Sequence, residues 1–558
     1  MIIIFSDGLI TALFPVNNKQ ERGRVFLSEK IFAKRSVTAF FTVMLFLLSC
    51  ILRVAVVATD ESLTAAQESQ SRYKIKIGIK RGSVYDRNRV LLTNNKTKIL
   101  AAVSPTPQAV SKLSSVLKGE ELKSALEKLK KNKPVLLEVP KDISADGIKC
   151  FTVSLNDPDN SYFEHIIGYT DSSGHGACGI EAAYDDILYS SEEQSAIFYL
   201  NGKGEVLKGI EPEFENTEKV SNNVVTTFDL NIQKIAEMAA KSIEKGAVVI
   251  SEAATGEIVA MLSKPAFNTA NLQDYLKSED APLLNRALAS FSVGSVFKPC
   301  VAAAAFSKNK QNFSYTCTGK TRIVDRDFNC HKADGHGLMD LKSALTFSCN
   351  TFFYNLGQEL GSKAIYDMAS SLNFGREIKI ADNIFTTPGT MPDLKSLENP
   401  ALLANFSIGQ GYFLLSPVSM LTLYSAIANS GSYNIPHIIK STTKNGTITE
   451  YEKLNPTRVM SEKTADILKE YLSSVIDEGT GEAAKPQLCT AAGKTATAQT
   501  GRYFKNGKEI NNSWFCGFFP LEKPKYVVII LSEGGTTKQT AGAFAEIADG
   551  ITRLETDS

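Results

Sequence analysis

What this 558-residue chain lacks removes several functions before any residue is given a role. It has no G-x-x-x-x-G-K-[ST] loop and no H-E-x-x-H pair, so nucleotide-hydrolysis and metalloprotease readings lack their starting residues. Its net charge is +1, which argues neither for nucleic acid nor for an acidic partner. Gly 37 and Pro 19 are ordinary counts, and no repeat or low-complexity tract interrupts the chain. Gly174-His175-Gly176-Ala177-Cys178-Gly179 matches a dinucleotide fingerprint by letter. It follows a polar loop rather than the end of a strand, and it reads as an ordinary glycine-rich turn. The 9 cysteines are too sparse for a disulfide-dependent scaffold, and Cys50 lies in an apolar run. Cys317 and Cys330 stand close to His331 and His336, a spacing that a structural disulfide, free thiols or a zinc site would each satisfy.

Long apolar runs are equally scarce: only one approaches membrane length. Val37–Leu52 carries no charge and continues past Arg53 to Ala58, enough to cross about 30 Å of hydrocarbon, with the arginine snorkelling. Lys19, Arg22, Arg24, Lys30, Lys34 and Arg35 precede it and Asp60 and Glu61 follow. That asymmetry predicts a cytoplasmic N-terminus and an extracytoplasmic remainder. A signal peptide cleaved at Ala58 is the competing reading, and Arg53 sits badly inside one. Met1–Val16 is partly apolar but too short and interrupted to span. The expected division is a cytoplasmic segment over 1–36, an anchor over 37–58, a first extracytoplasmic domain over 65–222 and a second over 223–558.

In the first domain, Ile75–Asn95 reads as strand, turn and strand, and residues 107–133 have helical spacing. A glycine-rich loop within 165–188 leads to a helix opened by Gly179. In the second, Thr227 or Asp229 caps a helix through 245. A hairpin turning at Gly256 follows, then a largely helical stretch over about 282–480. Strand-like runs at Leu488–Thr500, Trp514–Phe519 and Tyr526–Ser532 precede a closing helix. Strands at both ends with helices between predict an α+β fold. Its antiparallel sheet brings first and last strands together and is covered by helices.

The chemistry points to Ser295-Val296-Phe297-Lys298. A serine and a lysine three apart on a helix share a face, so a neutral lysine can take the hydroxyl proton. The apolar flanks of Lys298 predict a lowered pKa. Ser348-Cys349-Asn350 offers a hydroxyl for proton relay and an amide for a peptide carbonyl, although both are also good helix caps. Gly493-Lys494-Thr495-Ala496-Thr497 offers a cation and hydroxyls for a carboxylate, or an edge strand blunted by lysine.

S-x-x-K, a serine-x-asparagine triplet and lysine-threonine followed by a small residue, in that order, resemble the signature of the penicillin-binding proteins. Arg81–Asn88 (RGSVYDRN), Gly179–Tyr184 (GIEAAY), Thr255–Met261 (TGEIVAM), Asn285–Ala287, Ser407–Gly411 (SIGQG) and Ser416-Pro417 extend the likeness over roughly residues 75–550. With one anchor and a modest pedestal, the chain looks like the monofunctional, class B members, the peptidoglycan D,D-transpeptidases. The resemblance implies a β-lactamase-like transpeptidase fold over an N-terminal pedestal. It implies Ser295 as nucleophile, Lys298 as its base, and Ser348 and Lys494 as the proton relay. Asn350, Thr495 and Thr497 would bind substrate, and the backbone N–H groups of Ser295 and Thr497 would form the oxyanion hole. Neither cofactor nor catalytic metal is implied. The implied partners are stem peptides, β-lactams, the membrane, a multi-spanning glycosyltransferase and other wall-synthesis proteins, but no nucleic acid. An impaired scaffold, a D,D-carboxypeptidase, a β-lactamase and a β-lactam sensor are the alternatives. Two positions depart from the family: Ala496 stands where glycine is usual, and Cys349 where aspartate is. The Ala496 methyl is expected on the Lys494 face, either absorbed by a small shift or crowding the cleft at about 1–3 kcal/mol. Cys349 is expected near enough to the cleft for alkylation to test its exposure.

Overall fold

A computed structural model describes residues 19–59, 71–156, 162–215, 222–504, 506–507 and 509–557. Met1–Val16, Asp60 and Glu61, which entered the membrane reading, lie outside the described residues. The apolar run sits within one helix, Lys19–Thr59, and its Lys30–Thr59 portion is long and apolar enough to cross a membrane. None of that portion is buried against the rest of the chain.

The N-terminal region holds two small sheets. Arg72–Arg81 pairs with Tyr189–Tyr199, which also pairs with Glu213–Glu215. Lys96–Val103 runs between Val135–Val139 and Ile148–Leu155. Two helices, Pro107–Ser114 and Gly119–Lys130, contribute Ala109, Leu113 and Leu129 to a core with Ala101, Val103 and Val135. One helix was expected over 107–133. An extended Lys118 and Gly119 at φ +65° break it, a conformation glycine adopts without strain. The arginines of RGSVYDRN tie this region together and to the first hairpin of the larger sheet. Arg81 reaches Glu181 and Asp185 at 2.5 and 2.7 Å, while Arg87 reaches Glu252 and Glu257 at 2.6 Å each. Between them, Ser83–Tyr85 pairs with Asn223–Thr226, which pairs in turn with Ile439–Lys444.

The larger sheet is built from β1 (Gly246–Glu252) and β2 (Ile258–Lys264), the predicted hairpin, with Gly256 at φ +76° in its turn. Helices α1 (Lys298–Ser307), α2 (Leu341–Thr346) and α3 (Asn350–Leu360) intervene. Strands β3 (Ala492–Tyr503), β4 (Glu509–Phe519) and β5 (Tyr526–Glu533) complete it. The order is β2-β1-β5-β4-β3, and every pair is antiparallel. The first strand therefore pairs with the last, as the strand placement predicts. Both faces are covered, which is why β1 and β5 are nearly continuous apolar runs. Val249, Val527, Ile529 and Leu531 pack into the core shared with the helical region, with Tyr424 and Val301. Val248, Ile250, Val528 and Ile530 pack oppositely, against Phe544, Ile547 and Ile551 of the closing helix Thr537–Thr556.

Three expectations change in detail. Asp229, not Thr227, caps the helix after residue 229, accepting from Asn231 and Ile232 N–H, and that helix ends at Ala239. The hydroxyl of Thr227 instead donates to the Ile258 carbonyl at 2.6 Å. The stretch over 282–480 is interrupted by several short strand pairs, among them Tyr315–Cys317 with Gly337–Met339, Lys320–Ile323 with Arg326–Asn329, Lys379–Ala381 with Ile384–Phe385 and Ile439–Lys444 with Thr447–Glu450. Their strands are too short and mixed in polarity for a period to register.

The Arg286–Glu533 pair (2.6 Å; 4% and 11% exposed) connects the approach to the nucleophile with the end of β5. Arg286 also donates to the carbonyls of Asp280 and Ala281. Arg286→Ala leaves the largely buried Glu533 carboxylate with only the exposed Arg502, 3.6 Å away, and is expected to destabilise the protein by about 1.5–3 kcal/mol, read as a lowered urea midpoint. An unchanged midpoint would show that the pair does not hold this corner.

Candidate active site

Ser295 stands in a single 3₁₀ turn, Gly294–Phe297, that leads straight into α1 at Lys298. The expected α-helical spacing is thus tighter here, and residues three apart in a 3₁₀ turn eclipse one another. Ser295 is half-buried and Lys298 fully buried. The turn is pinned from several sides. Phe297 packs against Phe374, Phe406 and Phe413 with ring centroids 4.7–6.3 Å away. Tyr424 Oη donates to the Val296 carbonyl at 3.0 Å, and Trp514 Nε1 on β4 donates to the Ser292 carbonyl at 2.8 Å.

Gly294 is where the turn meets the sheet. Its φ is +69°, its N–H donates to the Gly409 carbonyl at 2.8 Å, and a Cβ there would lie 3.1 Å from Ala498 Cβ and 3.4 Å from Ala496 Cβ. Gly409, from the SIGQG stretch, comes equally close: a Cβ on it would stand 2.2 Å from the Gly294 carbonyl oxygen. The close approach therefore excludes a side chain on Gly409 and crowds one on Gly294, whose positive φ disfavours it as well. The Ala496 methyl, on the Lys494 face as period two requires, is buried in the space that Gly294 leaves open.

Lys298 Nζ donates to the Ser348 carbonyl (2.7 Å), to Ser348 Oγ (3.2 Å) and to Asn350 Oδ1 (2.7 Å). Ser348 reaches it because α2 ends in a tight turn. Ser348 sits at φ +55°, and Cys349 N–H folds back to the Ala344 carbonyl before α3 starts at Asn350. The triplet is thus a left-handed turn between two helices rather than an extended link. Among the described residues no hydrogen bond joins Ser295 to Lys298, and no carboxylate lies within ion-pair distance of the amine. Burial accordingly pushes Lys298 down to about 7.

Lys494 on β3 is also fully buried, donating to the Thr495 carbonyl at 3.2 Å and to Thr480 Oγ1 at 3.4 Å. Burial first, and the nearby Lys298 charge second, hold it well below the ordinary lysine range. Thr495 Oγ1 and Thr480 Oγ1 are 2.8 Å apart. Thr497 is exposed along β3, the edge strand of the sheet. Lys298, Ser348 and Asn350 thus form one hydrogen-bonded group, and Lys494 and Thr495 a second, with the Ser295 turn packed against the same strand.

Thr480 is the residue that sequence reasoning missed. It lies between Gly479 and Gly481 after the helix Glu462–Asp477, and its N–H donates to the Thr346 carbonyl at 3.2 Å. A Cβ on Gly479 would strike that carbonyl oxygen at 2.4 Å, so the glycine lets the loop lie against α2. A threonine between glycines just before a lysine-threonine strand was the available signal. Cys349 is completely buried, so its thiol is not presented to the cleft.

The penicillin binding protein transpeptidase domain family matches residues 246–553. Stage V sporulation protein D of Bacillus subtilis is 29% identical over 532 residues, covering 88% of this chain and 80% of the relative. The peptidoglycan D,D-transpeptidase MrdA of Acinetobacter baumannii is 23% identical, covering 96% and 88%. Among solved structures, penicillin-binding protein PBP2 of Helicobacter pylori superposes with a TM-score of 0.65 at 22% identity, over 86% of this chain and 99% of that one. PBP3 of Mycobacterium tuberculosis, complexed with aztreonam, gives 0.62 at 21% over 87% and 97%. With the family match spanning more than half of its length and this α+β fold beneath it, the chain belongs to the penicillin-binding protein transpeptidase family.

Proposed function

We propose that the protein is a serine D,D-transpeptidase that crosslinks peptidoglycan stem peptides outside the membrane. The single observation carrying this reading is the buried Lys298 amine, bonded to Ser348 and Asn350 one turn from a half-buried serine. Ser295 Oγ attacks the carbonyl of the D-Ala–D-Ala bond while Lys298, neutral, takes its proton. Ser348, with Lys494, delivers a proton to the leaving D-Ala nitrogen, and the acyl group stays on Ser295. Asn350 binds the donor backbone, and Thr495 and Thr497 hold the terminal carboxylate. The N–H groups of Ser295 and Thr497 receive the oxyanion, where loss of one donor costs about 10²–10³ in rate. An amine of a second stem peptide then takes the acyl group, forming the crosslink and freeing Ser295. A β-lactam is attacked by the same hydroxyl, its amide opens, and the acyl-enzyme hydrolyses slowly.

The Lys19–Thr59 helix anchors the chain with its N-terminus in the cytoplasm, and residues 65–222 form the pedestal. A multi-spanning glycosyltransferase that supplies the glycan strand is the partner this arrangement fits. A structure of H. pylori PBP2 is described as a complex with MreC, which supports a wall-synthesis partner of that kind for this chain.

Incubating the full-length chain with a pentapeptide donor and an acceptor amine is expected to yield the crosslinked product and free D-Ala, both lost in Ser295→Ala. Free D-Ala without crosslink, at every acceptor concentration, would make it a carboxypeptidase. Because burial holds Lys298 at about 7, the base is protonated below that pH and free above it. Acylation should therefore rise about tenfold per unit up to pH 7 and then level off, measured with a chromogenic cephalosporin. A rate that is flat or falling across that range contradicts Lys298 as the base. Ala496→Gly removes a buried methyl without opening a blocked path. It should cost about 1 kcal/mol of stability and change the acylation rate less than about threefold, whereas a large gain in rate would show that the methyl crowds the cleft.

A further inference from the structure

One turn of the N-terminal region is sunk into the core under the larger sheet. Phe163 sits at φ +67° with its ring centroid 4.4 Å from that of Phe228. Ile166 and Ile167 of the short helix Glu164–Ile167 are buried in the same core as Val249 and Met261. A phenylalanine at positive φ is strained, and it stays there only where its surroundings hold it. Two titratable side chains enter the seam with this turn. The side chains of Glu164 and His165 are 9% and 5% exposed, and the catalytic reading uses neither.

His165 joins the seam to the segment that leads to the nucleophile. Its Nε2 donates to the Pro282 carbonyl at 2.7 Å, which leaves Nδ1 as the acceptor of a neutral ring. The His165 carbonyl accepts from Asn285 Nδ2 at 3.2 Å, and Asn285 is followed by Arg286, the partner of Glu533.

Glu164 has no comparable support. Among the described residues the only basic group within ion-pair distance is His165 Nδ1, 3.7 Å away, and burial pushes that imidazole down to about 4. The other charged groups on the elements packed around the turn are committed elsewhere. Lys234 lies over the Tyr162 ring, and Lys264 at the end of β2 donates to the Ala240 carbonyl, with Glu237 and Glu244 nearby. Arg286 holds Glu533, Arg81 holds Glu181 and Lys245 holds Asp280, while burial keeps the Cys178 thiol neutral. Glu237, on the helix Leu230–Ala239, adds a second carboxylate, bonded by Gln233 at 3.0 Å. Burial, with the Glu237 charge adding to it, raises the Glu164 carboxyl to about 7.

We propose that Glu164 is a proton-dependent latch: protonated, it lets the 163–167 turn stay seated against β2 and the 282–286 segment, and ionised, it drives the turn out of the seam. The direction follows from linkage. A carboxyl released to water ionises near its ordinary value of 4.5, whereas the seated one keeps its proton to about 7. Between those values only the released form loses the proton, so rising pH favours release by about tenfold per unit. Above 7 both forms are ionised and the preference is constant; below 4.5 both are protonated and pH has no influence. Release also removes the bonds that His165 makes to Pro282 and Asn285, so the approach to Ser295 loosens with the turn. The latch stands apart from the proposed acyl-enzyme chemistry, because its groups touch none of the reacting atoms.

The test is hydrogen exchange of the full-length chain in detergent, read by mass spectrometry from about pH 5 to 8 and corrected for the intrinsic pH dependence of amide exchange. Peptides covering 163–168 and 282–288 are expected to lose protection together, by about tenfold per unit between pH 5 and 7 and by little above that. In Glu164→Gln, neutral at every pH, protection of both peptides should stay level. The melting temperature of that variant should exceed the wild type's by an amount that grows up to about pH 7 and then stays fixed. Wild-type protection that does not change with pH, or that changes equally in Glu164→Gln, overturns the latch. Loss confined to 163–168 overturns its link to the approach to Ser295. A Glu164→Gln chain that fails to fold also overturns the latch, since a neutral side chain is the one the seam should accept.

Discussion

An amine buried without a carboxylate beside it is the constraint on which this structure turns. Lys298 donates to a carbonyl, a hydroxyl and an amide oxygen and stands 5.3 Å from the Phe353 ring centre, and a full positive charge there would be poorly solvated. Lys494, equally buried, is biased the same way and is made more so by Lys298. Burial biases both amines toward the neutral form, which suits the proton transfers proposed between the nucleophile and the leaving group. The rest of the domain is arranged to keep them dry and close. The aromatic cluster around Phe297 seals α1 from below, and the tryptophan on β4 fastens the preceding segment to the sheet.

Close approach of backbones is the second half of that arrangement. Gly294 and Gly409 touch, and the edge strand lies over them with only Ala496 and Ala498 between. The glycine of the usual lysine-threonine-glycine strand is replaced by alanine at no visible steric cost, because the missing Cβ is supplied by the other side of the contact. The same economy is visible at Gly479, which lets Thr480 come to Lys494 and Thr495.

Much of this was legible in the sequence, and the reasons differ by element. The pairing of first and last strands follows from where the apolar runs lie, and the heart of the site from three short motifs in a fixed order. Lys298, Ser348 and Asn350 meet in one hydrogen-bonded group and Lys494 and Thr495 in another, although Ser348 arrives through a left-handed turn that no periodicity reveals. Thr480 was hidden because its one local mark, a glycine on either side, is shared by ordinary loops. The hairpins over 315–339 were hidden because strands of three or four mixed residues carry no period, and the break at Gly119 because the flanking segments share one helical spacing. Cys349 was read as an oddity within its motif, since nothing local shows that Cys317, Cys330 and His336 fold onto it. Contacts between distant short segments are where single-sequence reasoning runs out.

Acylation of Ser295 from its place above Lys298 is the central claim. The most direct measurement is the intact mass of the full-length protein after exposure to a penicillin, with mapping of the modified peptide. One covalent adduct, on the peptide containing Ser295 and absent when that residue is alanine, is the predicted result. A protein that is folded by its melting curve but remains unmodified, or carries the adduct elsewhere, would contradict it.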